Sequence, residues 1–361
     1  MKIGILTFHY VTNYGAVLQA YALQRHLEKQ GHEVVIIDYR PKSRQKPILK
    51  RLLARRLQTA LNKITDFRKE VLIERFRKKH LHQTIRYCSL SELQHNPPLC
   101  DYYICGSDQI WNIHFTSQGE NKSLTGSYFL DFGPNNVRRI SYAASFGCTE
   151  YPAELRRFTK PALARFHALS VREQTGQEII NKIGFENAEV VPDPTLLLCC
   201  DEYRRLLSNT NSRKESKVFI YALHQHQHLM NSVIQKLKQT NETLICGTGS
   251  HWAPGIESWL QAIASAKMVV TNSFHGVVFS ILFEKNFIAV SVEGSNVGMN
   301  DRLHTLLGQL GLESRIMSSD QSLDLDSLLQ SKINWETVRP RIEALKKTGD
   351  DYLINALSSE S

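Results

Sequence analysis

The residues best suited to chemistry stand in gaps between apolar runs. In residues 268–283, "MVVTNSFHGVVFSILF", one apolar run stops at Thr271 and another starts at Val277. Between them lie Asn272, Ser273, Phe274, His275 and Gly276. The pattern predicts a strand, a short loop and a helix. The first backbone N–H groups of a helix lack intrahelical partners and sit at the positive end of its dipole, so such a place attracts anions. Asn272 and Ser273 suit the capping of that helix. Gly276 lets backbone approach closely. A phosphate or carboxylate bound beside His275 would favour its imidazolium form and make it a proton donor when substrate is present. A purely structural role is the alternative for a lone histidine.

Other polar residues fall at equivalent places. "ICGSDQIWN" sets Gly106, Ser107, Asp108, Gln109, Trp111 and Asn112 directly after an apolar strand. Ser107 and Asp108 can cap a helix, and Trp111 can be core packing or a stacking surface for a sugar ring. "LSVREQTG" ends a strand on Arg172 and Glu173. A guanidinium there suits bidentate recognition of carboxylate or phosphate; a surface Arg172–Glu173 pair is the alternative. "TNYGA" places Asn13, Tyr14 and Gly15 at the first strand–helix turn, and "NDRLHTLL" places Asn300 and Arg302 at a later helix start. Their shared location at strand ends carries more weight than any one of them.

The elements that must hold these residues alternate. "KIGILTF", "HEVVIIDY", "DYYICG", "RISYAAS", "ALSVRE" and "AEVVPD" read as strands, with helices over residues 16–30, 154–166 and 174–183. A polar stretch, residues 208–216 ("SNTNSRKES"), reads as a linker. The alternation then restarts with "KVFIYAL", "ETLICG", "KMVVT" and "FIAVSV" as strands. Such β-α-β order implies parallel sheets covered on both faces. The reading is α/β: two Rossmann-like domains facing a cleft, at residues 1–207 and 217–335, then a helical tail at 336–361. No G-x-G-x-x-G opens the first helix and no Walker A sequence occurs, which argues against a nicotinamide dehydrogenase and a P-loop enzyme.

The chain has 361 residues and a net charge of +9. Residues 40–79 hold 15 Lys/Arg against 3 Asp/Glu, so this window alone carries +12. Ile48, Leu49, Leu52, Leu53, Leu57, Leu61 and Ile64 recur within it at helical spacing. The expectation is a basic amphipathic helical insertion over about residues 40–82, either a solvated flap or a contact with anionic lipid or an acidic acceptor. No nucleic-acid motif accompanies the charge. Seven scattered cysteines show no metal-ligand spacing, so no metal site is expected and reduced thiols are. No apolar run is long enough for a transmembrane helix, and the N-terminus does not read as a signal peptide.

"NYGAVLQAYAL", "GSDQIWN", "ISYAASFG", "LSVRE", "PDPTLLL" and "TNSFHG", followed by "NDRLHTLLGQLGL", resemble the polysaccharide pyruvyl transferase family. The combination of "GSDQIWN" with "NSFHG" is specific, and the pieces run in order over most of the chain. The resemblance implies a glycosyltransferase-B-type fold and transfer of the enolpyruvyl carbons of phosphoenolpyruvate onto a sugar as a cyclic ketal. The implied acceptor is a cell-surface polysaccharide or its lipid-linked precursor. It makes His275 the general acid and Arg172 a donor-binding residue, beside Asn272, Ser273, Phe274 and Gly276. Some branches carry an arginine where this chain has Ser273; Arg302, with Asn300, is the candidate substitute. Asp108 is a candidate base, and Asn13, Tyr14, Gly15, Ser107, Gln109 and Trp111 are candidates for the acceptor. The implied setting is the cytoplasm, with peripheral contact at the inner face of an anionic membrane, no tightly bound cofactor and no nucleic acid. The alternatives are a nucleotide-sugar-dependent glycosyltransferase of the same fold and a non-catalytic glycan- or membrane-associated assembly protein.

Overall fold

The structure is a computed structural model and describes residues 1–41, 57–118, 123–124, 126–207, 217–223, 228–240, 242–247, 252–318 and 325–358. The linker expected at 208–216 and the first part of the basic insertion, residues 42–56, lie outside the described residues. The chain divides into two compact units. Unit 1 comprises Met1–Lys50, Arg77–Leu197 and Ala344–Ser361, and unit 2 comprises Arg51–Phe76 and Leu198–Glu343.

In unit 1, strands β1 (Lys2–Leu6), β2 (Glu33–Ile36), β3 (Tyr102–Cys105) and β4 (Arg138–Ser141) form a parallel sheet in the order β2-β1-β3-β4. Strands β5 (Ser170–Val171) and β6 (Glu189–Val190) pair with each other, and single bridges from Ile140 to Ala168 and Ala144 to Val171 continue the sheet toward them. Helix α1 (Tyr14–Lys29) begins where the Asn13 side chain accepts from the Ala16 N–H, and the turn after it uses Gly31 at φ 86°. Ile5, Leu6, Val17, Leu18, Leu23 and Ile104 are fully buried. Near-continuous apolar strands are what a sheet covered on both faces requires.

The described part of the basic insertion is one long helix, α2 (Leu57–His80). It is counted with unit 2 up to Phe76 and with unit 1 from Arg77. Helices α3 (Ala153–Leu163) and α4 (Gln174–Ile183) flank β5 in sequence.

Unit 2 repeats the plan with β7 (Lys217–Tyr221), β8 (Thr243–Cys246), β9 (Met268–Thr271), β10 (Asn286–Val290) and β11 (Ile316–Met317). All pair in parallel in the order β8-β7-β9-β10-β11. Helices α5 (His228–Lys238), α6 (Ile256–Ser265), α7 (Phe274–Leu282) and α8 (Asp301–Leu310) connect them. Every residue of α7 is buried, and Phe279 meets the Trp259 ring edge-on at 5.4 Å.

The last helix, α9 (Trp335–Ser358), occupies the stretch read as a helical tail. Its first residues belong to unit 2, and from Ala344 onward it belongs to unit 1. There the Tyr352 hydroxyl donates to the Ser141 carbonyl at 2.7 Å, and the Tyr102 hydroxyl donates to the Leu357 carbonyl at 2.9 Å. Its exposed charged positions conceal a buried seam of Tyr352, Leu353, Ala356 and Leu357.

Candidate active site

Both sheets have a point where the chain leaves a strand in opposite directions. In unit 1 it is β1, flanked by β2 and β3; in unit 2 it is β7, flanked by β8 and β9. Open parallel sheets form their binding crevices at the carboxyl ends of such strands. In unit 1 those ends carry residues 7–15 and 106–112, and in unit 2 residues 222–223 and 272–276. Most candidate residues of the sequence fall on these loops; Arg172 follows β5, and Asn300 and Arg302 stand at the start of α8.

In unit 2 the two loops are tied across that point. Thr271 Oγ1 donates to the Tyr221 carbonyl at 2.6 Å, and the Leu223 N–H donates to Asn272 Oδ1 at 2.7 Å. Ser273 caps α7, accepting from the Gly276 N–H at 3.3 Å. A Cβ on Gly276 would lie 2.6 Å from Thr271 Oγ1, so only glycine lets the helix start this close to the strand. His275 stands in the first turn with 7% of its surface exposed, its ring 5.2 Å from and edge-on to that of Phe274. The Arg302 guanidinium lies over the Phe274 ring, 5.5 Å from its centroid. Phe274 thus has both the histidine and a cation beside its ring. Asn300 clasps the backbone of Val292, accepting from its N–H at 2.8 Å and donating to its carbonyl at 2.9 Å. Its amide is spent on shaping the loop after β10.

In unit 1, Thr7 Oγ1 donates to the Ser107 carbonyl at 2.7 Å and accepts from Gln19 Nε2 at 2.8 Å. Asp108 has φ 82°, a conformation costly for a non-glycine residue, and its own carboxylate accepts the Gln109 N–H at 2.8 Å. Asp108 remains partly exposed, while Ser107 is wholly buried. Gln109 Oε1 accepts from Asn112 Nδ2 at 2.7 Å. Gly147, at φ 61°, leaves room for that pair, since a Cβ there would come within 2.3 Å of Gln109 Oε1.

Beneath this loop lies a buried ionic network that the residue pattern did not disclose. Asp193 Oδ2 accepts from Arg172 Nη1 at 2.7 Å and from Ser107 Oγ at 2.9 Å. Its Oδ1 accepts from the Thr195 N–H and hydroxyl at 3.1 and 2.7 Å. Glu173 Oε1 accepts from Ser145 Oγ at 2.7 Å and from the Phe146 N–H at 3.1 Å. Burial works against the Arg172 charge, but Asp193, Glu173 and Asp108 outweigh it and push its pKa up. Arg172 and Glu173 are therefore no surface pair: both side chains are 2% exposed. Arg172 thus pairs with Asp193, which ties the end of β5 to the turn after β6.

A second buried cluster shapes the loop after β1. His9 Nε2 is 3.0 Å from Asp38 Oδ1 and its Nδ1 is 3.1 Å from the Thr7 carbonyl. Burial pushes the His9 pKa down against the pull of Asp38. Burial pushes the Asp38 carboxyl up, but His9 and Arg40 outweigh it and hold it below the usual carboxylate range. Arg77 of α2 donates from Nε to the His9 carbonyl and from Nη2 to the Val11 carbonyl, each at 2.7 Å.

Trp111 corrects an expectation. It is fully buried, stacked on Phe129 at 5.6 Å, and its Nε1 donates to the Tyr128 carbonyl. The indole belongs to the core and offers no face to a sugar. Tyr14 is likewise interior, at 1% exposed, and Gly15 is buried. Asn13 is partly exposed, with its side chain engaged as the α1 cap. The structure thus gathers Asn13, Ser107, Asp108, Gln109 and Arg172 within unit 1, and Asn272, Ser273, Phe274, His275, Gly276, Asn300 and Arg302 within unit 2. Sequence reasoning passed over Asp193 and saw Glu173 only as a possible surface partner of Arg172. The "PDPT" run was the nearest signal for Asp193, because Pro194 fixes the turn in which Asp193 caps Thr195.

Two parallel α/β units with polar loops at their switch points define a fold of glycosyltransferase-B type. The chain belongs to the polysaccharide pyruvyl transferase family, whose sequence model matches residues 13–294. It is a transferase, a polysaccharide pyruvyltransferase by family. Its structure is similar to that of UDP-N-acetylglucosamine 2-epimerase from Rickettsia bellii, with a TM-score of 0.50 and 11% identity over 99% of this chain and 96% of that one. The UDP-GlcNAc 2-epimerase from Methanocaldococcus jannaschii gives a TM-score of 0.47 at 12% identity, covering 95% of this chain and 92% of that one. At such identities the likeness concerns the fold alone. No curated protein sequence compared with the chain matches it.

Proposed function

We propose that the donor of this pyruvyltransferase is phosphoenolpyruvate and that the product is a cyclic ketal on a sugar. The observation that carries the reading is the placement of His275. It stands at the helix start beside a unit 2 switch-point loop, with Arg302 held against the same Phe274 ring. Phosphoenolpyruvate brings a phosphate and a carboxylate, and a helix N-terminus with a nearby arginine suits such a dianion.

In this scheme His275 gives its proton to the methylene carbon, and C2 gains cationic character. One sugar hydroxyl bonds to C2, the C2–O bond to phosphate breaks, and a neighbouring hydroxyl closes the ring. Of the two hydroxyl protons, one replaces the proton lost by His275 and the other leaves with phosphate. Asp108 is the candidate to accept the first of them, and Asn13, Ser107 and Gln109 shape the acceptor loops of unit 1. The scheme needs no tightly bound cofactor. A lipid-linked acceptor would place the enzyme at the inner face of a membrane, with the cytoplasm supplying the donor.

Isothermal titration of phosphoenolpyruvate, in parallel with UDP-sugars, tests the donor. Saturable phosphoenolpyruvate binding, weakened by Arg302→Met, is the expected result. Binding of a UDP-sugar with none of phosphoenolpyruvate would replace the reading with a glycosyltransferase.

A further inference from the structure

We propose that the outward face of α2 is a docking surface for an anionic lipid bilayer. The proposal deepens the reading of a lipid-linked acceptor and draws its biological purpose from it, while its test stands apart. The inward face of the helix is set by Ile73, Phe76 and Arg77, each at most 1% exposed. On the outward face Ile64, Phe67 and Val71 are 64%, 63% and 42% exposed. Steps of three and four residues bring these side chains into one row along the helix.

Arg68, Arg75, Lys78 and Lys79 are also exposed. Arg68 lies one turn after Ile64, and Arg75 one turn after Val71, so the cations extend and flank the apolar row. Asp66, Glu70 and Glu74 follow one another at four-residue steps along the other edge of the apolar row, with Glu70 and Glu74 half-buried. Lys69 is half-buried too, and burial pushes its ammonium pKa down.

A narrow apolar row lined by cations is the chemistry of a helix lying in a headgroup layer, with the apolar side chains below the phosphates and the cations beside them. Among the described residues no helix is long and apolar enough to cross a membrane, so the contact is peripheral. Close to the same helix end, Arg77 holds the His9 and Val11 carbonyls. The helix that meets lipid therefore also props the loop after β1, where an acceptor carried by lipid would be received.

Co-sedimentation of the full chain with vesicles tests this. One set contains phosphatidylcholine with phosphatidylglycerol, and the other phosphatidylcholine alone. The wild type is expected to sediment with the anionic set only, less so as salt rises. Ile64→Ser with Phe67→Ser, and separately Arg68→Gln with Arg75→Gln, should each weaken that binding by about tenfold or more. These exposed positions leave the fold intact, which thermal unfolding checks.

No sedimentation at low salt, equal binding to both vesicle sets, or binding that survives both double substitutions would overturn the proposal. So would a concentration-dependent dimer in light scattering that the Ile64→Ser, Phe67→Ser variant abolishes, since a second copy would then own the face. Phosphoenolpyruvate titration of the same proteins separates the two readings. Vesicle binding without donor binding removes the donor assignment and leaves the docking surface, and the reverse result does the opposite.

Discussion

Arg172 Nη1 lies 2.7 Å from Asp193 Oδ2, with the two side chains 2% and 0% exposed. The pair joins the end of β5 to the turn after β6, and Ser107 brings in the loop after β3 through the same carboxylate oxygen. Removing one member of a buried pair strands the other charge, which costs about 3–5 kcal/mol. Asp193→Asn should lower the unfolding free energy by that amount in a denaturant titration. Adding Arg172→Met to it should cost far less than the sum of the single changes. Strict additivity would mean that the two residues do not act as a unit.

Gly276→Ala tests the close approach of α7 to β9. Alanine in an ordinary helix interior is favoured over glycine by about 1 kcal/mol. Here the added Cβ would meet Thr271 Oγ1 at 2.6 Å and Cγ2 at 3.0 Å. Thr271 cannot turn away without losing its bond to the Tyr221 carbonyl and the one it accepts from the Ser273 N–H. The clash should win, with a net loss of about 1–3 kcal/mol and reduced turnover as His275 shifts. Thr271→Ala on top of it should recover part of the stability. A Gly276→Ala protein that unfolds later than the wild type would refute the contact.

Much of this architecture is legible in the residues. Apolar runs of four to seven residues ending in small polar ones mark β1, β3, β7 and β9, and the loops that follow carry His275 and Asp108. Local pattern reaches that far because strand and helix periodicity and caps are short-range signals. Burial of Arg172 and Glu173 is different. Ser107 and Asp193 are 86 residues apart, and Tyr102 and Leu357 are 255 apart. Nothing periodic announces such pairings, so an Arg-Glu dipeptide reads as an anion site or a surface pair and the last helix as a charged tail. Trp111 misleads for a related reason. The residues that enclose it, Phe129, Phe146 and Phe166, come from three later segments.

Trp111 itself gives a clean discrimination between packing and sugar stacking. Trp111→Ala should cost about 3–5 kcal/mol of stability, as for other large-to-small core changes. Trp111→Phe should cost less and leave the acceptor KM unchanged, because no sugar touches the ring. A raised acceptor KM in a Trp111→Phe protein of normal stability would return the indole to the acceptor site.

His275 and Arg302 share Phe274, yet the scheme gives them separable tasks. His275→Ala should lower kcat by about 10²–10⁴-fold, the usual worth of a general acid, while the melting temperature stays near that of the wild type. Arg302→Met should act on the donor side, raising the KM for phosphoenolpyruvate more than it lowers kcat. Arg302→Lys should rescue little, since an ammonium keeps the charge but neither the planar stacking on Phe274 nor a two-pronged grip on an oxyanion. Steady-state kinetics with calorimetric donor titration reads all three variants. Full turnover by folded His275→Ala would deny the histidine its proton. Unchanged donor affinity in Arg302→Met would move the grip on phosphoenolpyruvate away from the arginine that lies over the Phe274 ring.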